Sequence, residues 1–522
     1  MSERSCRPVL SIVAVVGLLI EAVLVSCTLM ENPMEAGGAS EYFDTGGDYP
    51  VSISGEEYAS LPENPFFAVD EQPLSTFSVD VDVASYANCR RFISYGQLPP
   101  PDAVRIEEFV NYFDYSYPQP EEGALGVSVA ITECPWNRNR MVARIGLKAK
   151  EIQEEIAAPS YLTFLIDVSG SMSDENKLPL LKEAFKLLVE QLDADDRVAI
   201  VVYASQTGCV LPPTSGAEKM TIISAIDRLT SGGSTAGAAG IQLAYQMAEE
   251  QYDKSANNRV ILATDGDFNV GVSSDEALVN LIEEKRGKGI YLTVLGFGMG
   301  NYKDAKMEGL ADHGNGNYAY IDSRTEAEKV FVHDLVGYIT VIANDVKIQV
   351  AFNSATVKAY RLIGYENRVL DEEDFTDSTK DAGEMGAGQT VTAFYELIPA
   401  SSDEPVPQHP ESIASYLEKK QSDISVGRYL QVNIRYISPD DGTEKTFAKE
   451  AGDDCFTGQP DSELRFALAV VEYGLLLKES EYRGNATFNQ VASLASEAVD
   501  ADENGYRKEF IDLVEKASVI DK

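Results

Sequence analysis

The sequence predicts a doubly wound α/β domain with a mostly parallel sheet, inserted in a β-sandwich and flanked by helical segments. Three observations carry that fold class. Between residues 158 and 337, continuous apolar runs alternate with helical patterns, as strands buried on both faces of a parallel sheet do. On either side, at 121–157 and 338–437, apolar and polar residues alternate as in antiparallel strands, so one sandwich built from both flanks is the economical architecture. Past residue 438 the apolar period becomes that of a helix.

Taken in order, residues 74–120 form an N-terminal helical segment. Ser75–Asp82 alternates like a strand, and a polar helix is expected over Ala84–Ser94. Pro99, Pro100 and Pro101 stop one element and Asp102 is the expected N-cap of the next. Ile106, Phe109, Val110 and Phe113 then make one apolar helix stripe directed at a core. Val127–Ile131 and Val142–Leu147 are strands around a turn that holds Trp136, the only tryptophan. In the α/β unit the buried strands are Tyr161–Ile166, Arg197–Tyr203, Val260–Thr264 and Ile290–Gly296. Helical patterns lie at 178–192, 218–229, 238–252, 274–287 and 325–337. Strands return at Val346–Phe352, Ala359–Ile363, Thr390–Leu397 and Tyr429–Tyr436. In the C-terminal helical region, 438–522, Leu464, Leu468, Val471 and Leu475 form a stripe.

Charge and chemistry narrow the function classes. The 522 residues include 84 acidic and 43 basic side chains, a formal net charge of −41 at pH 7. Such a surface repels a polyanion and excludes non-specific nucleic-acid binding. Only three histidines are present (His313, His333, His409), with no H-E-x-x-H, C-x-x-C, P-loop or G-x-S-x-G string, so an enzyme is not expected.

The N-terminus reads as an export signal. Arg4 and Arg7 precede an apolar run, Val9–Ile20, long enough for a signal core and short for a membrane span. Leu24-Val25-Ser26-Cys27 follows and resembles the bacterial lipobox. Residues 1–26 are thus expected to be a lipoprotein signal peptide. Cys27 is then the lipidated, palmitate-bearing residue, placing the protein outside the cytoplasm on the cell membrane or the outer membrane. From Thr28 to Pro73 there are ten acidic residues and no Lys or Arg, so 27–73 is expected to be an unstructured acidic spacer. Export permits disulfides, and Cys89, Cys134, Cys209 and Cys455 allow three pairings, or remain free thiols.

One constellation carries chemistry. The first buried strand runs into Asp167-Val168-Ser169-Gly170-Ser171, a carboxylate and two hydroxyls in alternation. These are hard oxygen donors, suited to Mg2+, Mn2+ or Ca2+ and unsuited to zinc. Ser231-Gly232-Gly233-Ser234-Thr235 precedes a helix, and Thr264-Asp265-Gly266 ends a later strand. In a parallel sheet all three loops lie at one carboxyl edge, where such folds bind ligands. Hydroxyls serving only as helix caps would not require both aspartates to end strands.

Residues 160–337 resemble the von Willebrand factor A domain, and the three strings resemble its metal-ion-dependent adhesion site. The resemblance implies that Asp167, Ser169, Ser171, Thr235 and Asp265 hold one divalent cation, Mg2+ or else Mn2+ or Ca2+. The second loop departs from the commonest forms, which leaves Ser234 as an alternative hydroxyl. Asp174 and Glu175 stand where related domains place an adjacent calcium site, against the reading of a solvated helix start. Val104–Glu108, Val110–Tyr115 and Leu362–Arg368 resemble parts of YfbK-type bacterial lipoproteins, a similarity covering about residues 74–520. What this implies is a cell-envelope lipoprotein that binds, through the metal, a protein ligand presenting an exposed carboxylate. The alternative is a structural or assembly scaffold of the envelope that captures no ligand through metal. A metal-dependent hydrolase is the third reading, but none of the three loop strings, 167–171, 231–235 and 264–266, holds a His, Lys or Glu to act as base.

Overall fold

The computed structural model describes residues 55–152, 158–234, 237–266, 268, 275–300, 302–380, 382–407, 425, 427–499, 502 and 504–522. The signal peptide, Cys27 and Thr235 lie outside the described residues. In chain order, β1 (Phe67–Ala68) and β2 (Leu74–Ser78) lead into α1 (Ala84–Ser94) and α2 (Ile106–Asn111), then β3 (Leu125–Glu133) and β4 (Met141–Ala149). The α/β unit comprises β5 (Ser160–Asp167), α3 (Leu178–Gln191), β6 (Arg197–Tyr203), β7 (Thr207–Ser215), α4 (Lys219–Asp227) and α5 (Gly237–Gln251). It continues through β8 (Asn257–Thr264), α6 (Asp275–Arg286), β9 (Ile290–Phe297), α7 (Asp304–His313), β10 (Tyr318–Ile321), α8 (Arg324–Glu328) and α9 (Leu335–Ile339). Next come β11 (Val341–Phe352), β12 (Val357–Ile363), β13 (Val369–Leu370), β14 (Met385–Gly386), β15 (Thr390–Pro399), β16 (Arg428–Ile437) and β17 (Glu444–Gly452). Three helices close the chain: α10 (Ser462–Leu477), α11 (Phe488–Ser496) and α12 (Tyr506–Ile520).

The central sheet has the order β10-β9-β8-β5-β6-β7. Every pair is parallel except β6 with β7. From β5 the chain builds outward through β6 and β7, then returns to lay β8 on the other side of β5. The order therefore reverses between β5 and β8, the switch point where open α/β sheets bind ligands. Side chains alternate across the sheet: Leu162, Phe164 and Ile166 pack toward α3, and Leu165 packs toward α5. The Phe164 and Phe185 rings lie 4.3 Å apart. Strand β7 escapes a reading by apolar runs because it is an edge strand carrying Pro212 and Pro213. Strand β10 escapes it because it has four residues.

Two antiparallel sheets, β1-β12-β15-β4-β3 and β13-β2-β11-β16-β17, the latter with β14 beside β11, close on a shared core. Phe77, Leu147, Ile348, Val391, Tyr395 and Val432 lie in it. The structure moves several boundaries. The acidic spacer was expected to run unstructured to residue 73, yet Phe66 and Val69 are buried, β1 pairs with β12, and Glu56 holds Arg91 at 2.8 Å. A few apolar residues without periodicity suffice there, because cores already formed receive them. The segment from 74 opens with a sandwich strand, β2, and the sandwich runs past residue 437 to include β17. Helix α1 is polar in composition yet buried along most of its length. Asp102 falls in a short turn at Pro101–Ala103, and the N-cap of α2 is Arg105. Among the described residues, no helix is long and apolar enough to cross a membrane.

Helix α1 is buried through its arginines. The Arg90 guanidinium, 4% exposed, meets Asp322 and Glu326 at 2.6 Å, the Tyr112 hydroxyl at 2.9 Å and Glu509 at 3.2 Å. Arg105 meets Glu108 at 2.8 Å, Glu308 at 2.7 Å, and Asp304. Arg368 meets Asp80 at 3.0 Å, Asp82 at 3.3 Å and Asp312 at 2.9 Å. Removing one partner of such a cluster leaves a buried charge uncompensated. Arg90→Leu is expected to cost about 3–5 kcal/mol in urea unfolding. A loss below about 1 kcal/mol, the scale of an exposed pair, would show that the cluster does not lock the helices to the α/β unit.

Candidate metal centre

Strands β5 and β8 are parallel neighbours with Ile166 opposite Ala263, which brings Asp167 and Asp265 to the same carboxyl edge at the switch point. Both aspartates are buried. Asp167 Oδ1 accepts the Ser169 N–H at 2.8 Å, and the Thr264 hydroxyl donates to Oδ2 at 3.4 Å. The Ser169 and Ser171 hydroxyl oxygens lie 3.0 Å apart, the first buried and the second exposed. A carboxylate at the strand end and two hydroxyls on the following turn thus face one locality, graded from interior to surface.

The second loop is stitched to the first. Gly170 N–H donates to the Gly233 carbonyl at 3.0 Å, and Gly232 N–H to the Val168 carbonyl at 2.8 Å. Gly233 has φ +86°, and a Cβ there would lie 2.4 Å from Ser205 Oγ, so both its conformation and its neighbour require glycine. Ser234, the alternative hydroxyl, is turned toward Ser205: its N–H donates to Ser205 Oγ at 2.8 Å and the two hydroxyl oxygens lie 3.3 Å apart. Asp174 and Glu175 are exposed, and the Asp174 carbonyl accepts the Lys177 N–H at 3.0 Å. Cys89, Cys134, Cys209 and Cys455 are all free thiols.

Lys177 is the site residue that sequence reasoning missed. Its ammonium lies 2.9 Å from Asp265 Oδ2, and its side chain is 6% exposed. It precedes α3 directly, and its stem crosses Gly298, where a Cβ would come within 2.3 Å of Lys177 Cε. The sequence carried only a weak signal, a lysine six residues after Ser171, because the partner that gives it meaning is almost ninety positions away.

Burial raises the Asp167 carboxyl to about 6, with the Asp265 charge adding to the rise and the Ser169 hydrogen bonds opposing it. Among the described residues, two buried carboxylates face one ammonium here, so the locality retains a negative charge. No group of three or more His, Cys, Asp or Glu side chains is placed to hold a metal among the described residues. A cation at this edge would accordingly rest on two carboxylates, hydroxyls and water. That donor set fits a hard divalent ion. Asp167, Ser169, Ser171 and Asp265 are the described residues positioned to hold it.

Comparison with known proteins places the chain in a family. The von Willebrand factor type A domain family matches residues 162–336, the von Willebrand factor family residues 52–144, and the family described as "uncharacterized protein YfbK, C-terminal" residues 337–520. The α/β unit is therefore a von Willebrand factor type A domain, a class that generally mediates protein–protein interactions. Uncharacterized protein YfbK of Escherichia coli (strain K12) is 39% identical over 471 residues, 88% of this chain and 80% of that protein. The chain belongs to the YfbK family of von Willebrand factor type A domain proteins. Human (Homo sapiens) inter-alpha-trypsin inhibitor heavy chain H3 is 23% identical over 295 residues, 52% of this chain and 32% of that protein. Among solved structures, a von Willebrand factor type A protein from Catenulispora acidiphila aligns with a TM-score of 0.42 at 15% identity, covering 76% of this chain and 92% of that one.

The raised Asp167 has a consequence for stability. Its folded-state value, about 6, lies above the ordinary carboxylate value of about 3.9, so ionising it costs folding free energy as pH rises between them. Asp167→Asn keeps the acceptor for Ser169 N–H and removes the charge. In EDTA at pH 7 the variant is expected to be more stable by about 1–2 kcal/mol, a gain that fades below pH ~6 and is gone near pH ~4. Thermal unfolding across that range checks this; equal melting temperatures at pH 7 would show that Asp167 carries no such penalty.

Proposed function

We propose that this protein is a lipid-anchored, extracytoplasmic binding protein and not an enzyme. Its type A domain holds one divalent cation, Mg2+ or in its place Mn2+ or Ca2+, and offers an open coordination position to a carboxylate on a protein partner. The observation that supports this most is the meeting of Asp167, Ser169, Ser171 and Asp265 at the switch-point edge, with Ser171 at the surface. Thr235 is proposed as a further hydroxyl ligand. Hydroxyls are neutral and Mg2+ keeps several waters, so the ion remains short of anionic ligands and accepts one from outside. The chain carries −41, so a generally acidic partner is repelled at long range. The partner therefore offers one exposed Asp or Glu within a neutral or basic surface. Among the described residues, the basic side chain at the site, Lys177, is engaged with Asp265.

Capture from an envelope extract tests the reading. Wild-type protein is expected to retain a partner in Mg2+ and release it in excess EDTA, and Asp265→Ala is expected to retain at least tenfold less. A partner held equally well in EDTA would favour a metal-independent envelope scaffold.

The anchor is tested separately. Cys27→Ser is expected to abolish palmitate labelling and to block lipoprotein-type cleavage, so that the variant keeps residues 1–26. A variant that still carries label would remove Cys27 as the lipid site.

A further inference from the structure

Lys177 places an ammonium where the metal reading places a cation. It lies 2.9 Å from Asp265 Oδ2, both side chains are buried, and Gly298, at φ +74°, leaves space that its stem occupies. A β-carbon at residue 298 would fall 2.3 Å, 2.4 Å and 2.8 Å from Lys177 Cε, Cγ and Cδ. The lysine also belongs to the loop that carries Ser169 and Ser171, and its backbone N–H is held by the Asp174 carbonyl of that loop. We propose that Lys177 is a built-in competitor of the divalent ion: its ammonium neutralises Asp265 in the metal-free protein and is displaced from it when the metal binds. This rests on the metal reading of the Asp167 cluster and adds its regulation.

The physical case is one of charge. Without the lysine, Asp167 and Asp265 would face each other with two negative charges in a buried setting, an arrangement that disfavours the ionised pair. With it, the metal-free site keeps one net negative charge and stays folded. A divalent ion bound to Asp265 would bring two positive charges within a few ångströms of the ammonium, a repulsion that low dielectric strengthens. Asp174 and Glu175, exposed on the same loop, give the expelled ammonium acidic neighbours nearer solvent. Metal loading is thereby coupled to rearrangement of the loop bearing Ser169 and Ser171. The site fills only where free Mg2+ or Mn2+ is high enough to overcome its own lysine.

Calorimetric titration with Mg2+ and with Mn2+ tests this on full-length wild type and Lys177→Met, which keeps a stem of similar shape across Gly298. The variant is expected to bind each ion about tenfold more tightly or better, and its melting temperature to rise more on adding Mg2+ than that of wild type. Equal affinity in both proteins overturns the competitor role while leaving the metal site standing, and weaker binding by the variant overturns it by making the lysine a helper of the metal. Absence of binding heat from both, with folding confirmed by circular dichroism, removes the metal reading and this inference with it. Should Lys177→Met fail to fold, Gly298→Ala keeps the lysine but blocks its path. It is then expected to bind Mg2+ more tightly than wild type, and unchanged affinity overturns the proposal.

Discussion

A guanidinium taken out of water must be met by oxygens that replace its hydration, and at Arg90 those oxygens come from widely separated stretches of chain. Tyr112 follows α2, Asp322 and Glu326 lie at the end of β10 and in α8, and Glu509 is on α12. Burial pushes the Glu326 carboxyl up while Arg90 pulls it down, so the pair is held only as long as both stay in place. Arg105 and Arg368 repeat the device, the first tying α2 to α7, the second tying the start of β13 to Asp80, Asp82 and Asp312. Pairing of this kind does more for uniqueness of arrangement than for net stability. It fixes the N-terminal helices, the type A domain and the C-terminal helix in one geometry, and α5, α6 and α7 cover the other face of the domain's sheet.

That arrangement explains how a strongly acidic chain uses its scarce cations. Arg90, Arg105, Arg361, Arg368 and Lys177 are all drawn inside, each against carboxylates. The candidate metal centre follows the same logic on a smaller scale. Its two aspartates are brought together by β5 and β8, a juxtaposition that repels unless a cation intervenes, and Lys177 intervenes. The neighbouring glycines, Gly233 and Gly298, are required by space: one lets the second loop lie against Ser205, the other lets the lysine stem pass.

Much of this was legible in the residues themselves. Apolar runs such as Tyr161–Ile166 and Val260–Thr264 can satisfy their side chains only between two layers, so a parallel sheet with helices on both faces follows from the runs alone. That Asp167 and Asp265 end neighbouring strands, with Ser169 and Ser171 on the turn after the first, was readable because a strand-ending carboxylate followed by alternating hydroxyls is a local pattern. Strands β7, β10, β13 and β14 were not readable: they are short, or interrupted by proline, and exist because a neighbouring strand offers them a ladder. The packing of residues 55–73 was hidden for the same reason, since Phe66 and Val69 acquire a partner only once distant cores are built.

What the sequence by itself determined is therefore the class of fold, because backbone periodicity is written within a few consecutive residues. What only the tertiary structure decided is which charges meet. Arg90 with Glu326, Arg105 with Glu308 and Lys177 with Asp265 are separated by 236, 203 and 88 positions, and no local pattern encodes such a pairing. Coulomb attraction acts through space and strengthens as water is excluded, so these partners are chosen only when the chain has closed around them.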